Sequence, residues 1–287
     1  MPTIREKTRV ILRNILYLTD FSQPSEVALP FAVGLARTCG ARVHALHVLT
    51  PVIPQGCAEA IEADVRMADS EMERVKEQLS SIDYDATNVT GMGLWPAVDQ
   101  AITNQGIDLI VLATHGRTHA RRLLLGSFAE EIFRRSSTPV LTIGPDVPKH
   151  VTDAGTFGSI LFATDFGKPC EAASPFAVSL AEEYNARLVL LHVVPEANRQ
   201  EVTAAELELR LYSVVPTDAR VWCQPFAVVR YGEPADGILE AAADNKADVI
   251  VLGVRGADHL GAATHLERAI AHKVVAHARC PVLTVRG

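Results

Sequence analysis

The stretch Ala113 to Ser127, ATHGRTHARRLLLGS, holds the residues best suited to grip an anion. Gly116 has no Cβ to keep a ligand away from the backbone. Gly126-Ser127 opens what reads as a helix, whose first N–H groups lack intrahelical acceptors and whose dipole favours negative charge. A P-loop would instead read GxxxxGK[ST], with its lysine on the β- and γ-phosphates; that string occurs nowhere in the chain. A second group, Asp20 in LTDFS, follows another apolar run and offers a carboxylate to a ribose or a base. In an open α/β sheet, ligands sit beyond the carboxyl ends of the strands where strand order reverses, and these two loops are expected to meet there. Each also has a plainer reading, Asp-Phe-Ser as a turn or cap and Gly-Ser as a helix start.

The remaining polar candidates point less sharply to chemistry. His115 and His119 are four apart, a metal-sharing spacing on a helix, but they straddle a glycine loop with no third ligand nearby. His115 is therefore expected to line the phosphate pocket. His44, His47 and His192 alternate with apolar residues and read as structural histidines. Arg121, Arg122, Arg134 and Arg135 read as solvated charges, the last two favourable at a helix C-terminus. No GxSxG elbow, HExxH or cysteine with a matched histidine is present, so no residue is assigned a catalytic role.

These loops need elements to hold them, and the chain supplies the elements twice. ILYLTDFS (15–22) returns as ILFATDFG (160–167), PFAVGLA (30–36) as PFAVSLA (175–181), ARVHALHV (41–48) as ARLVLLHV (186–193), DLIVLATHG (108–116) as DVIVLGVRG (248–256), and STPVLTI (137–143) as RCPVLTV (279–285). Order is kept throughout, so the chain is a duplication. The Gly-, Pro- and Asp-rich stretch after residue 143 marks the junction: domain 1 is taken as 1–147, a linker as 148–157 and domain 2 as 158–287. In each copy, short β-branched apolar runs alternate with helical patterns, which predicts βαβ units and a parallel sheet covered on both faces. The strands are expected near 14–19, 42–49, 86–91, 108–114 and 139–143, and near 159–164, 187–194, 220–229, 248–254 and 281–285. Gly40 and Asn185 should end the first helix of each copy in the left-handed conformation. The segment 59–79 reads as a charged amphipathic helix with a solvated outer face, partner binding being the second reading.

Composition bounds the function. At 287 residues, 48% hydrophobic and 21% charged, each half can bury a core. A formal net charge of -7 argues against nucleic acid, whose phosphates call for a basic face. No apolar run reaches the ~18–20 residues that span a bilayer, and the N-terminus lacks the apolar stretch of a secretory signal, so a cytoplasmic location without membrane contact is expected. Five scattered cysteines without a CxxC pair suggest neither a disulfide framework nor a zinc site.

Taken together, LTDFS, ALHV, the glycine loop followed nine residues later by GS, and TPVLTI resemble the universal stress protein family in its tandem form, almost end to end in both copies. That resemblance implies two Rossmann-like domains, each a five-stranded parallel sheet of order 3-2-1-4-5 with helices on both faces. It implies ATP with Mg²⁺ or Mn²⁺ in domain 1, the adenosine end near Asp20 and the backbone at Val43, and the loop and phosphate contacts drawn from Ala113, His115, Gly116, Arg117, Gly126, Ser127 and Phe128. The family's loop reads G-x-x-G-(nine residues)-G-[ST], and Ala113 replaces its first glycine. Copy two restores both glycines as Gly253 and Gly256 but sets Arg268-Ala269 against Gly126-Ser127, in a loop two residues longer. Losing two or three charge-assisted hydrogen bonds would cost about 3–9 kcal/mol, at least a hundredfold in affinity, so the second site is expected to be degenerate. The resemblance further implies pairing of PVLTI with PVLTV about a pseudo-twofold axis, an association of two chains, and ligand-dependent regulation or protection under stress through an unidentified protein partner. Two alternatives stand beside it: a slow ATPase or adenine-nucleotide-hydrolase-like enzyme, and a nucleotide-independent interaction module.

Overall fold

The computed structural model describes residues 9–49, 58–114, 126–148, 154–200, 202–217, 219–255 and 262–287. The first copy runs β1 (Asn14–Leu18), α1 (Gln23–Cys39), β2 (Arg42–Leu49), α2 (Ala58–Leu79), β3 (Tyr84–Thr90), α3 (Leu94–Gln105), β4 (Leu109–Ala113), α4 (Ser127–Arg135) and β5 (Val140–Ile143). The second runs β6 (Ser159–Ala163), α5 (Lys168–Glu183), β7 (Arg187–Val194), α6 (Ala204–Ser213), α7 (Arg220–Cys223), β8 (Phe226–Tyr231), α8 (Pro234–Asp244), β9 (Val249–Val254), α9 (Ala262–His277) and β10 (Val282–Arg286). Gly40 caps α1 at φ 65, and Asn185 follows α5 at φ 48, the two left-handed stops the residue types foretell. Among the described residues no helix is long and apolar enough to cross a membrane.

All ten strands form one sheet in the order β3-β2-β1-β4-β5-β10-β9-β6-β7-β8. Each half is parallel with the order 3-2-1-4-5, and the halves join where β10 pairs antiparallel with β5. The period of two divides the apolar runs between two faces. Ile15, Tyr17, Val43 and Leu109 point to one side, together with Ile160, Phe162, Leu188 and Val249 of the second copy, and all belong to a single buried cluster. On the other side Leu16, Leu18 and Ile110 pack under α3 and α4, while Leu161, Val189 and Ile250 pack under α8 and α9. The shared cluster is what makes the two copies one body.

One expected strand is corrected. Residues 220–229 do not form a single strand, because Arg220–Cys223 closes a helical turn and β8 begins only at Phe226. The Cys223 N–H donates to Ala219 O at 3.0 Å, Arg220 Nε donates to Val215 O at 2.9 Å, and Gln224 stops the turn at φ 40. An apolar run of this length suits either element, and here the local hydrogen bonds decide.

The lead-in to each copy crosses onto the first helix of the other. Val10 N–H donates to Ser179 Oγ on α5 at 2.7 Å, and Arg9 pairs with Glu183 at 3.1 Å. In the reciprocal contact, Ala154 and Gly155 lie on α1 at Gly34, the counterpart of Ser179. A Cβ on Gly34 would stand 2.3 Å from Ala154 O and 2.7 Å from Gly155 Cα, both backbone atoms that cannot swing aside. Gly34→Ser should therefore destabilise the chain by about 1–3 kcal/mol through overpacking, although serine occupies the matching site in the other copy. Urea unfolding would show it as a lowered midpoint, and an unchanged midpoint would refute the crossing contact.

Candidate functional site

The end of β1 is a turn held by its own side chains. Asp20 Oδ1 accepts from Ser22 N–H at 3.0 Å and from Ser25 Oγ–H at 3.1 Å, while Phe21 N–H donates to Thr19 Oγ1 at 3.0 Å. These bonds hold Phe21 at φ 57, a conformation that non-glycine residues enter only under local compulsion. His47 at the end of β2 braces the turn, donating Nδ1–H to Thr19 O at 2.8 Å and setting its ring 4.3 Å from that of Phe21.

Copy two repeats the device. Asp165 Oδ1 accepts from Gly167 N–H at 2.8 Å and from the Cys170 thiol at 3.1 Å. Phe166 sits at φ 63, and His192 Nδ1–H donates to Thr164 O at 2.7 Å with its ring 4.6 Å from Phe166. The plainer reading of Asp-Phe-Ser thus holds as far as Oδ1 is concerned: the carboxylate caps a turn in both copies. Neither the left-handed phenylalanine nor the histidine brace was read from the sequence, though the repeated TDF and LHV strings carry both.

The glycine loop returns to this turn. Gly126 N–H donates to Thr114 O at 2.7 Å, and Thr114 N–H donates to Ile143 O at 3.1 Å, so the loop leaves and re-enters at the end of β4. Tyr17 pairs with Val111, and continuing that register by three residues sets Asp20 beside Thr114. Asp20, Thr114 and Gly126 thereby share one corner of the sheet. Gly126 is the N-cap of α4 without a side-chain cap, and Ser127 is exposed at its first turn. His115, Gly116 and Arg117, with His119, Arg121 and Arg122, lie outside the described residues.

Three of the expected residues take other places. Val43 is a correction: it opens β2 opposite Ile15, is fully buried, and gives its N–H to Asp83 O at 3.0 Å. Five residues at about 3.3 Å each separate that end of the strands from Asp20, and the backbone that flanks Asp20 is at Leu46 to Val48. Phe128 is half-buried and packs its ring against the cluster under α3 and α4. Ala113, half-buried, packs against the shared core. Its counterpart Gly253 shows which way a methyl there would face, since a Cβ would meet the Pro169 carbonyl at 2.4 Å. Position 113 therefore concerns packing of strand against helix.

The second copy differs at the helix. The end of α9 matches the end of α4, but α9 begins at Ala262, upstream of Arg268-Ala269. The position that opens a helix in copy one lies inside a helix in copy two, where N–H groups are bonded along the backbone. Burial also shapes the titrating groups. It pushes the Cys170 thiol up to about 11 and Cys280 to about 12, which keeps both protonated and unreactive near neutrality. Burial lowers the His192 pKa, partly offset by the bond to Thr164, and lowers that of His44 with help from Arg42. A histidine with a depressed folded pKa binds fewer protons folded than unfolded. Its stability contribution is full above about pH 6.5 and is lost as pH falls through the folded value. The urea midpoint should drop between pH 7.5 and 5.5, and should drop less in His192→Gln; equal drops would exclude His192 as a source.

The comparisons agree with the duplicated fold. The model of the Universal stress protein family matches twice, over residues 12–144 and 156–286. Universal stress protein MJ0577 of Methanocaldococcus jannaschii is 26% identical over 155 residues, 47% of this chain and 96% of the relative. The universal stress protein in the QAH/OAS sulfhydrylase 3'region of Thermus aquaticus is 33% identical over 138 residues, 45% of this chain and 99% of the relative. Among solved structures, a universal stress protein from Archaeoglobus fulgidus DSM 4304 aligns with a TM-score of 0.75 at 20% identity, covering 95% of this chain and 96% of its own. With both halves matched, the chain belongs to the universal stress protein family, as a tandem of two of its domains.

Proposed function

We propose that domain 1, within residues 1–147, binds ATP, and that the chain is a cytoplasmic regulator or protectant whose state follows that nucleotide, with domain 2 beyond the 148–157 linker no longer holding a triphosphate. The observation that carries this reading is the bond from Gly126 N–H to Thr114 O. It brings the open first turn of α4 to the corner occupied by Asp20. A helix start of this kind offers N–H donors and a positive dipole to an anion, and Asp20 stands in the turn that ends the neighbouring strand β1, for the sugar or base.

Gly116, with His115 and Arg117 beside it, would complete the cradle from the loop, and Ser127 would add a hydroxyl. Mg²⁺ or Mn²⁺ fits as an ion carried on phosphate oxygens, because among the described residues no cluster of three or more histidine, cysteine, aspartate or glutamate side chains forms. Among the described residues no positioned base for a γ-phosphate is identified, and the reading is binding rather than turnover. Association of two chains and an unidentified protein partner complete the proposal.

The test is nucleotide content: gentle purification, denaturation, and chromatography of the released nucleotides. About one ATP per chain supports the reading. None released, together with no binding on titration with ATP and Mg²⁺, would replace it with a nucleotide-independent interaction module.

A further inference from the structure

The seam between the copies encloses a space that neither copy has alone. Toward the amino ends of the strands, away from the corner of Asp20 and Thr114, a cavity of about 290 Å³ lies between α1 and α5. Three pairs of corresponding residues line it, one of each pair from each copy: Leu12 with Phe157, Leu35 with Leu180, and Leu141 with Leu283. Protein interiors keep few voids larger than a water, and this one has room for roughly ten waters at about 30 Å³ each. Water gains little there, because each molecule needs about two to four polar partners and these walls are leucine and phenylalanine. A cavity so lined stays dry or takes an apolar molecule.

A difference between the repeats keeps the space open. On α1, Gly34 lets the lead-in of copy two rest directly on the helix, so that a Cβ there would stand 2.3 Å from Ala154 O. The matching residue of α5 is Ser179, and the lead-in of copy one hangs from its hydroxyl by the 2.7 Å bond from Val10 N–H. The serine acts as a spacer. It holds residues 9–12 a side chain away from α5, and the cavity lies beneath them.

The charged lining residues mark the mouth. Arg9 and Glu183 are 53% and 31% exposed and meet at 3.1 Å, and Arg9 also lies 3.9 Å from Glu182. One guanidinium between two carboxylates leaves the rim net negative, which repels a carboxylate head. Cys39 lines the cavity near the same pair, and burial pushes its thiol up to about 11, so it stays protonated and adds no charge. A hydroxyl suits this rim, since it can donate to Glu183 and accept from Arg9.

We propose that the seam cavity binds a compact, uncharged apolar molecule of about ten non-hydrogen atoms, its hydrocarbon body between Leu35 and Leu180 and a single hydroxyl head at Arg9 and Glu183. Such a molecule touches Leu141 and Leu283, which pair across β5 and β10. Both copies hold it at once, so its binding fastens the seam and raises the unfolding midpoint. The site is independent of any nucleotide in domain 1.

The test is fluorescence titration of the full chain with N-phenyl-1-naphthylamine, an uncharged probe that brightens in apolar surroundings, followed by displacement with 1-octanol or with octanoate. Leu35→Phe fills the cavity from α1 and Leu180→Phe fills it from α5; each is checked for native circular dichroism. The probe is expected to bind the unmodified chain and to weaken about tenfold or more in both variants. 1-Octanol should displace it at about one tenth of the octanoate concentration or less, and Glu183→Gln, a change at the exposed rim, should narrow that gap. Ser127→Glu in domain 1 should leave the probe bound as before. Absent probe binding, binding unchanged in both folded variants, equal displacement by alcohol and acid, or a gap that Glu183→Gln leaves in place would each overturn the proposal. So would binding that appears only after residues 2–8 are removed, since the chain would then be its own occupant. Loss of ATP binding alone counts against the nucleotide reading of domain 1 and leaves this one intact.

Discussion

Ser127→Glu should abolish ATP binding while leaving the fold as stable as before. The substitution sets a carboxylate in the first turn of α4, where the helix dipole contributes about 0.3–1 kcal/mol in its favour. Glu130 lies three residues on in the same turn, and like charges at that spacing cost about 0.2–0.5 kcal/mol. The net effect on folding is near zero. A triphosphate approaching the same N–H groups meets a negative charge and loses the serine hydroxyl, and losing two charge-assisted hydrogen bonds alone costs about 3 kcal/mol, more than a hundredfold in affinity. Released nucleotide should fall from about one ATP per chain to none, with the thermal midpoint unmoved. If the helix start serves only to begin a helix, the variant will hold as much ATP as the parent chain, and the site must lie elsewhere.

Much of the fold could be read because the strands are covered on both faces. A parallel strand under helices must be apolar at almost every position, so the central runs stood out, although the edge strand β3, YDATNVT, does not follow that rule, and the repetition of five strings fixed the duplication. The chemistry at the corner was less legible because it depends on register. That Thr114 O meets Gly126 N–H follows from where the loop re-enters the sheet, not from either residue's type. Val43 was misplaced along β2, although strand direction alone would have favoured the carboxyl end at His47 and Val48. In copy two the early start of α9 has a compositional cause that substitution of Gly126-Ser127 only hinted at. Leu266, Glu267, Arg268 and Ala269 are strong helix formers, so the helix extends back through them, whereas Gly126 would cost about 1 kcal/mol inside a helix and marks a start. The residues 220–229 show the opposite limit, where an apolar run fitted a strand and capping bonds made a turn.

Leu283→Ala in the second copy should destabilise the first copy by the same amount. Leu283 is 2% exposed and lies opposite Leu141, itself 1% exposed, across the antiparallel β5–β10 pair. Both belong to the cluster that runs under both copies, and both line a cavity of about 290 Å³ between them. Truncation enlarges a void that the neighbouring strands cannot collapse to fill, so the cost should lie near the upper part of the roughly 2–5 kcal/mol range for such changes. The two tryptophans in the chain, Trp95 in the first copy and Trp222 in the second, report the halves separately when the other is replaced by phenylalanine. In a chain of two independently folding beads, Leu283→Ala would lower the unfolding midpoint seen by Trp222 and leave that seen by Trp95 in place. A single shared core predicts one transition, shifted equally for both reporters. The same wiring offers a route by which a ligand bound in one half would be felt in the other. Arg286 of β10 donates to Phe133 O of α4, the helix whose first turn holds Ser127. Strengthening or loosening that helix therefore acts directly on the seam where the copies join. Coincident shifts in the two reporters would establish that path as rigid, and separate ones would confine each ligand's effect to its own half.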